Sequence, residues 1–409
     1  MKQTPDCDVL IIGGGLVGAA AALALASADF DVIQLDAAPD APEPETFDGR
    51  AYSTPAASQN FWRAVGVWER VADNAQAVSD ILVSDGRVSE GASPLFLHFD
   101  HREADGGAFS RMVEARHLRP ATLEAVRESA HVDLRHGARV VSTRTEPGRA
   151  VAVLETGEEI SARLIVAADG RESRLRQAAG IDRVRWSYDQ SGLVSAVAHE
   201  RPHHGIAHEL FLPAGPFAIL PLKGGRSSLV WTERREEAAR IHALPDDQYL
   251  CELENRFGDF LGRLTLDGRR WTYPLHFSLA YAYVAPRLAL IGDAAHAVHP
   301  IAGQGLNLGI RDAAALAEVL AEAMRRGEDF GEAAVLKRYQ QWRRFDSAAL
   351  ALSMDALNRL FSNDVAPVRA LRDFGLDLVN RSGPMKRMFM RAASGMGGET
   401  PRLLRGERI

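Results

Sequence analysis

The stretch from Asp8 to Gly18 constrains this chain more than any other part of it. A short apolar run, Val9-Leu10-Ile11-Ile12, leads directly into Gly13-Gly14-Gly15-Leu16-Val17-Gly18 and then into an alanine-rich segment that reads as helix through Ala28. The order is strand, glycine turn, helix. Gly13 permits the tight turn, Gly15 lets a phosphate approach the backbone, and Gly18 lets helix and strand pack closely, with a pyrophosphate held at the positive helix end. A second strand over Asp31–Leu35 ends in Asp36, whose carboxylate can accept hydrogen bonds from ribose hydroxyls and would repel a 2′-phosphate. A glycine turn alone also serves plain strand-to-helix packing. With the flanking strand and helix, and with Asp36 at this distance, it points to dinucleotide binding without saying which dinucleotide.

Two later segments narrow the choice. The strand Leu164-Ile165-Val166-Ala167-Ala168 runs into Asp169-Gly170, which taken alone reads equally well as an ordinary turn. The strand Arg287-Leu288-Ala289-Leu290-Ile291 runs into Gly292-Asp293 and then through His299-Pro300 to Gly303-Gln304-Gly305-Leu306-Asn307. Such a strand delivers Asp293 to the carboxyl edge of an open α/β sheet, where a carboxylate suits a polyol such as a ribityl chain. Among dinucleotides, only a flavin has that chain. A long helix over roughly Leu306–Met324 follows, and its amino end offers unpaired N–H groups against the negative charge of a reduced isoalloxazine ring.

Composition removes several classes of function. A net charge of -6, with 48 scattered Lys and Arg residues, gives no basic footprint, so no nucleic-acid partner is expected. Cys7 and Cys251 are too far apart in sequence to suggest a metal-ligand spacing or a redox pair, which fits a reducing cytoplasm. The start carries no secretory-type apolar run, and no uninterrupted apolar stretch of about 18 residues occurs, so any membrane contact is expected to be peripheral. His296 and His299 stand three apart, but no third ligand lies nearby. They are read as loop-structuring residues, and no metal is expected.

The three segments, in this order and spacing, resemble the group A FAD-dependent monooxygenases, the fold family of para-hydroxybenzoate hydroxylase. Within it the chain is most similar to the ubiquinone-biosynthesis hydroxylases of the UbiH/VisC type. The likeness extends over Asp48-Gly49-Arg50, Gly66-Val67-Trp68, Phe211-Leu212-Pro213 with Gly215-Pro216, Leu220-Pro221-Leu222, Val230-Trp231 and a segment from Ala393 to Pro401. The resemblance implies that Gly13, Gly15, Gly18 and Asp36 hold the ADP half of FAD. It implies that Arg50 and Arg116 reach the pyrophosphate or ribityl region, that Asp169 and Gly170 touch the phosphates and influence NAD(P)H binding, and that Gly292 and Asp293 bind the ribityl chain. Gly303, Gly305, Leu306 and Asn307 would line the flavin ring, with Pro300 beside the reacting oxygen, so that Pro300, Gly305, Leu306 and Asn307 form the catalytic loop. Asp36 departs from the longer Glu common in the family. The implied reaction uses NAD(P)H and O2 through a C4a-hydroperoxyflavin to hydroxylate a prenylated phenol of ubiquinone synthesis. A quinone-synthesis complex is the implied partner, and the implied location is cytoplasmic or peripheral to the inner membrane.

The expected fold is α/β. A Rossmann-like FAD-binding domain from residues 1–75, 110–178 and 285–325 is interleaved with a mostly antiparallel substrate sheet from 76–109 and 179–284, followed by C-terminal helices over 326–409. Alternation such as Leu193-Val194-Ser195-Ala196-Val197 marks strands of that sheet. Phe217, Leu220, Trp231 and Tyr283 are candidate pocket walls or plain core. Tyr339–Phe361 is periodic, Gly383-Pro384 marks a break, and Met385–Arg391 mixes cations with flexible apolar side chains, as a helix docked on the core or a lipid-facing stretch would. A reductase or halogenase of the same fold and a non-catalytic flavin-bearing subunit are the competing readings; no Trp-x-Trp-x-Ile-Pro stretch of the halogenases is present.

Overall fold

The computed structural model describes residues 4–41, 47–88, 91–103, 107–362 and 399–409, together with Val379, Asn380, Ser382 and Lys386. The expected break at Gly383-Pro384 lies outside the described residues, as does the Met385–Arg391 stretch apart from Lys386 and the Ala393–Pro401 segment short of Glu399.

The strand Cys7–Ile12 sits at the centre of the first sheet, paired in parallel with Val32–Leu35 on one side and Glu159–Ala167 on the other. Val132–Arg135 and Leu288–Leu290 extend the parallel order outward, and an antiparallel pair, Val140–Glu146 with Arg149–Leu154, hangs from Glu159–Ala167. Val9, Leu10 and Ile11 have no exposed surface, as expected for a strand covered on both faces. The helix Leu16–Ala26 lies against this sheet and is buried from Gly18 onward, which explains its run of alanines: a larger side chain would hold it off its neighbours. It stops two residues short of the expected Ala28, at a Ser27 cap before the left-handed Asp29. The helix Gln304–Arg325 packs beside it, starting earlier than the expected Leu306.

The second sheet is mostly antiparallel and is built from Asp80–Arg87, Gly91–Asp100, Arg183–His199, Ile206–Leu212, Gly215–Leu222, Arg226–Arg234, Leu264–Leu266 and Trp271–Ala280, closed at one edge by His296–Ala297. Its one parallel pair among the described residues joins Ile206–Leu212 to Asp80–Arg87. A small sheet of Ala51–Pro55, Gln76–Val78 and Ser110–Glu114 sits between the two.

Alternation along the strands assigns the two faces of the large sheet. Leu210, Phe217, Trp231 and Leu193 stand in one register row. They pack with Ile241, Tyr249, Leu253 and Phe257 of the helices Arg235–His242 and Asp246–Phe257. The other face carries Ala196, Ala207 and Leu222, which meet Phe47, Val78 and Met112 from the cofactor side. Phe217 and Trp231 therefore point away from the inner face, the side on which a substrate cleft would lie, and are not among its walls. Tyr283 is also removed from the cleft, since it is fully buried in the core of the first sheet. The alternation was correctly read as strand, but single-residue parity decides the face, and no local signal sets it. Leu220 does lie on the cleft side, packed against Phe47 and its neighbours.

The outer face also buries a charge. Glu233 lies under Trp231 Nε1 at 3.1 Å and Arg256 Nε at 3.1 Å, and both charged residues are less than a tenth exposed. Burial pushes the Glu233 carboxyl up, against the pull of the Arg256 guanidinium. Replacing Arg256 with Met should leave that carboxylate unpaired and lower stability at pH 8 by about 3 kcal/mol. A carboxyl whose folded value lies above its unfolded value weakens the fold as pH rises. The deficit should therefore shrink when pH is lowered towards 5, which urea unfolding at the two pH values will measure.

Candidate active site

Register brings the separated segments to one place. Ile12 stands opposite Leu35 and Ala167, and Ala167 opposite Leu290, so four parallel strands end in one row. Gly13, Asp36, Asp169 and the Gly292-Asp293 pair consequently leave the sheet at the same edge. At ~4.8 Å between strands, the three steps from Asp36 to Gly292-Asp293 cover about 14 Å, within reach of one extended dinucleotide.

The glycines at this edge have distinct physical reasons. Gly13 has φ +129°, and a Cβ there would lie 2.2 Å from the Ala168 carbonyl oxygen. A Cβ on Gly18 would lie 2.1 Å from the Gly13 carbonyl oxygen, so the close helix packing depends on it. A Cβ on Gly15 would meet nothing within 4 Å, so this side of its backbone is open to a ligand. Gly14, which had no assigned role, is crowded by a side chain: its Cβ would fall 2.0 Å from Asp36 Oδ2. That contact also shows the Asp36 carboxylate turned towards the glycine loop. Its other oxygen accepts a hydrogen bond from Ala38 N at 3.0 Å, and His136 Nδ1 stands 4.0 Å away.

Asp169 accepts from Leu175 N with Oδ2 at 3.3 Å, while its buried Oδ1 has no partner among the described residues. Gly170 follows with φ +81°. The helix Leu16–Ala26 meets the third segment through Val17, whose methyl groups would lie 3.0 Å from a Cβ on Gly292 and 2.5 Å from one on Gly309. Asp293 remains 45% exposed, with Arg171 NH2 3.7 Å from it. Arg50 donates through Nε to Asp48 Oδ2 at 2.7 Å and lies over the Trp271 ring, whose Nε1 donates to the Asp48 carbonyl. Arg116 pairs with the buried Glu114 at 3.0 Å and lies over Phe47. Backbone joins the two arginine segments, because Ala115 N donates to Arg50 O at 2.9 Å.

The loop from Pro300 turns through left-handed Gly303 into the helix Gln304–Arg325. The N–H groups of Gln304, Gly305 and Leu306 have no acceptor within that helix, and nothing crowds Gly305. Asn307 is buried and acts through its side chain on the protein itself. Its Nδ2 donates to Ser53 O at 3.0 Å and Gly303 O at 3.1 Å, and its Oδ1 accepts from Ser58 Oγ at 2.8 Å. It ties the loop to the strand Ala51–Pro55 that follows Arg50.

Sequence reasoning missed the group that anchors this loop. Asp312, fully buried, accepts from Gly292 N at 3.0 Å and Arg343 Nε at 2.8 Å, and pairs with His296 Nε2 at 2.6 Å. Burial alone would raise its carboxyl, but His296 and Arg343 outweigh it, and the net shift is downward. The helical offset of Asp312 from Asn307 was visible, but nothing in the sequence paired it with Arg343, 31 positions away. His296 is thus a structural residue, as expected. His299 is also buried, with both ring nitrogens unpartnered among the described residues and its edge against Tyr188, and burial pushes it down to about 4. Among the described residues neither histidine belongs to a group that could hold a metal.

These features fit FAD. The open backbone at Gly15, the inward Asp36 carboxylate, the unpartnered Asp169 oxygen and the exposed Asp293 carboxylate lie along one edge. They end near the first N–H groups of the helix Gln304–Arg325, which could face a flavin ring.

Comparison with known proteins agrees with this geometry. The family described as FAD binding domain matches residues 6–351. Ubiquinone hydroxylase UbiL of Rhodospirillum rubrum is 46% identical over 403 residues, covering 98% of this chain and 92% of that protein. The 3-demethoxyubiquinol 3-hydroxylase of Escherichia coli is 35% identical, covering 95% of this chain and 98% of its own. The crystal structure of p-nitrophenol 4-monooxygenase PnpA from Pseudomonas putida superposes with a TM-score of 0.78 over 96% of this chain and 98% of its own; at 20% identity it speaks for the fold alone.

The Asp312 network generates a measurable expectation. Asp312→Asn should strand the buried Arg343 guanidinium and cost about 3–5 kcal/mol at pH 7, with loss of bound FAD on gel filtration. A carboxylate held below its unfolded value stabilises above that value, near ~3.9, and loses the contribution as pH falls. The difference between wild type and variant should therefore narrow in acid unfolding curves near pH 3.

Proposed function

Since the chain belongs to the family of FAD-dependent aromatic monooxygenases, we propose that it hydroxylates the ring of a prenylated phenol in ubiquinone synthesis, drawing electrons from NAD(P)H and oxygen from O2. The single observation that carries the reading is the common sheet edge. It sets the dinucleotide turn, Asp169 and Asp293 in one row, and the loop after Asp293 runs on to the substrate sheet through His296–Ala297. FAD, when bound, supplies hydride acceptance and the activation of oxygen for transfer to the ring.

The residues of the chain provide placement. In this reading Asp36 and the open Gly15 backbone hold the ADP half, Asp293 the ribityl hydroxyls, and Arg50 and Arg116 the adjoining phosphate or ribityl region. Asp169 and Gly170 contribute at the phosphates. Pro300, Gly303, Gly305 and Leu306 shape the ring site through backbone, with N–H groups placed to stabilise negative charge. Asn307 fixes that backbone rather than touching the ring with its side chain. The apolar cleft face of the large sheet keeps water from the reacting atoms.

The division into a cofactor unit of 1–75, 110–178 and 285–325, a substrate unit of 76–109 and 179–284 and a tail from 326 belongs to this reading; most sheet memberships follow it, while Gln76–Val78 pairs with Ser110–Glu114 and His296–Ala297 joins the large sheet. So do a peripheral station at the inner membrane, where prenylated precursors partition, and association with other enzymes of the pathway. No helix among the described residues is long and apolar enough to cross a membrane.

Two measurements test the proposal. Asp293→Ala should weaken FAD about 10- to 100-fold, the worth of a hydrogen bond to a charged group, while leaving the fold intact by circular dichroism. The wild-type protein, supplied with FAD, NAD(P)H, a prenylated phenol and labelled O2, should give product one labelled oxygen heavier. Sustained NAD(P)H oxidation with a reduced but unlabelled product would replace the hydroxylase by a reductase.

A further inference from the structure

The cleft face of the large sheet carries a row of residues set by register: Leu97, Val83, Glu209, Ala218, Val230, Val194 and Trp271. Glu209 is the one ionisable member. Its strand neighbours on the same face fix what surrounds it. Ala207, two residues earlier, is covered by Phe47, Val78 and Met112, and Phe211, two residues later, by the ring of Phe361 at 4.1 Å from the helix Ala333–Phe361. Between these two covers Val83, Glu209, Val230 and Trp271 all keep accessible surface. The far end of the row, Trp271, lies beneath Arg50 on the cofactor side.

Glu209 has neither a hydrogen bond nor an ion pair among the described residues, although it sits on an apolar floor deep enough for burial alone to push its carboxyl up to about 7. The nearest ionisable side chain on the same face of the neighbouring strand, Asp85, is one register step along, opposite Phe211, and has its own partner. His208 points to the opposite face, against Phe260. A carboxyl left without a partner in such a place is costly unless something else supplies a donor.

We propose that Glu209 is the polar anchor of the substrate cleft, accepting the ring hydroxyl of a phenolic substrate whose apolar body lies along the Ala218–Val230–Val194 floor. The inference rests on the hydroxylase reading above and names how that site recognises its ring. In the proton transfer the phenol O–H bond breaks, its electron pair stays on the phenolate oxygen, and the proton bonds to a Glu209 carboxylate oxygen. The phenolate then directs its electron density into the ring that is to be oxidised. The hydrogen bond holds the ring in one orientation along the row.

The test uses the full-length, FAD-loaded protein and two probes, 4-octylphenol and its methyl ether 4-octylanisole, with binding read from the perturbed flavin absorbance. Wild type should bind the phenol about 10- to 100-fold more tightly than the ether, as one hydrogen bond to a charged group allows. Glu209→Leu should erase that preference with FAD stoichiometry and near-UV circular dichroism unchanged, since no partner among the described residues is lost. Glu209→Gln should keep phenol binding but lose the rise in phenol-dependent kcat/KM through a pH of about 7 that wild type should show. This second variant decides the matter should the leucine protein fail to fold. An undiminished preference in Glu209→Leu, or an unchanged pH profile in Glu209→Gln, overturns the role of Glu209 and leaves the hydroxylase reading standing. A wild type that holds FAD but binds neither probe removes that reading and this inference together.

Discussion

The cofactor side of the molecule depends on one buried carboxylate. Asp312 holds the Gly292 amide, the His296 ring and the Arg343 guanidinium at once, and each belongs to a different part of the chain. Gly292 begins the turn that presents Asp293, His296 begins the edge strand of the large sheet, and Arg343 comes from the helix Ala333–Phe361. Burying a lone carboxylate would be prohibitive; burying it with a guanidinium, an imidazole and an amide satisfies it and makes the geometry nearly rigid. Arg343 is held in turn by Asp346 and Ser347, so the network continues along its own helix. The position of Asp293 is thus set by a contact that Asp293 itself does not make.

The parts of the site that were legible in the sequence share a property: each is a local steric requirement. Gly13 and Gly18 must be glycine because of carbonyl oxygens already implied by a strand, turn and helix in succession, and Asp36 ends the next strand of the same unit. The meeting of the three segments could also be anticipated, because parallel strands deliver their carboxyl ends to one edge. What stayed hidden needs distances across the chain. Gly14 looked like a spare glycine until Asp36 was seen to occupy the space beside it. Asp312 looked like a helix residue among alanines. Phe217 and Trp231 were read as strand residues correctly, yet their face depends on a parity that a single slipped residue would reverse.

The two faces of the large sheet divide the electrostatic work. The outer face carries its buried charges in partnership, Glu233 with Arg256 and Trp231, under a layer of helices. Towards the cofactor, charge is likewise paired: Glu114 lies between Arg116 and Arg226, and Asp48 holds Arg50. The central row of the cleft face differs, with a carboxyl that has no partner among the described residues and apolar neighbours along its row. In the proposal above, that group is set aside for a ligand.

The interleaving of the two units along the chain has a mechanical consequence. His296–Ala297 pairs with Ser278 and Leu279 at the edge of the large sheet, yet it lies only three residues beyond Asp293 and three before Pro300. The segment that would carry the flavin's ribityl contact and ring loop is therefore hydrogen-bonded into the sheet that would carry the substrate. A linker between two independent domains would let the ring and the substrate drift relative to each other. Here a displacement of the substrate sheet has to move the ring loop as well, and the Asn307 bonds to Ser53 and Gly303 hold that loop from its other end. Oxygen transfer between two bound molecules demands sub-ångström placement of both. A shared strand, pinned at Asp312 and at Asn307, meets that demand without any side chain from the loop having to touch the substrate.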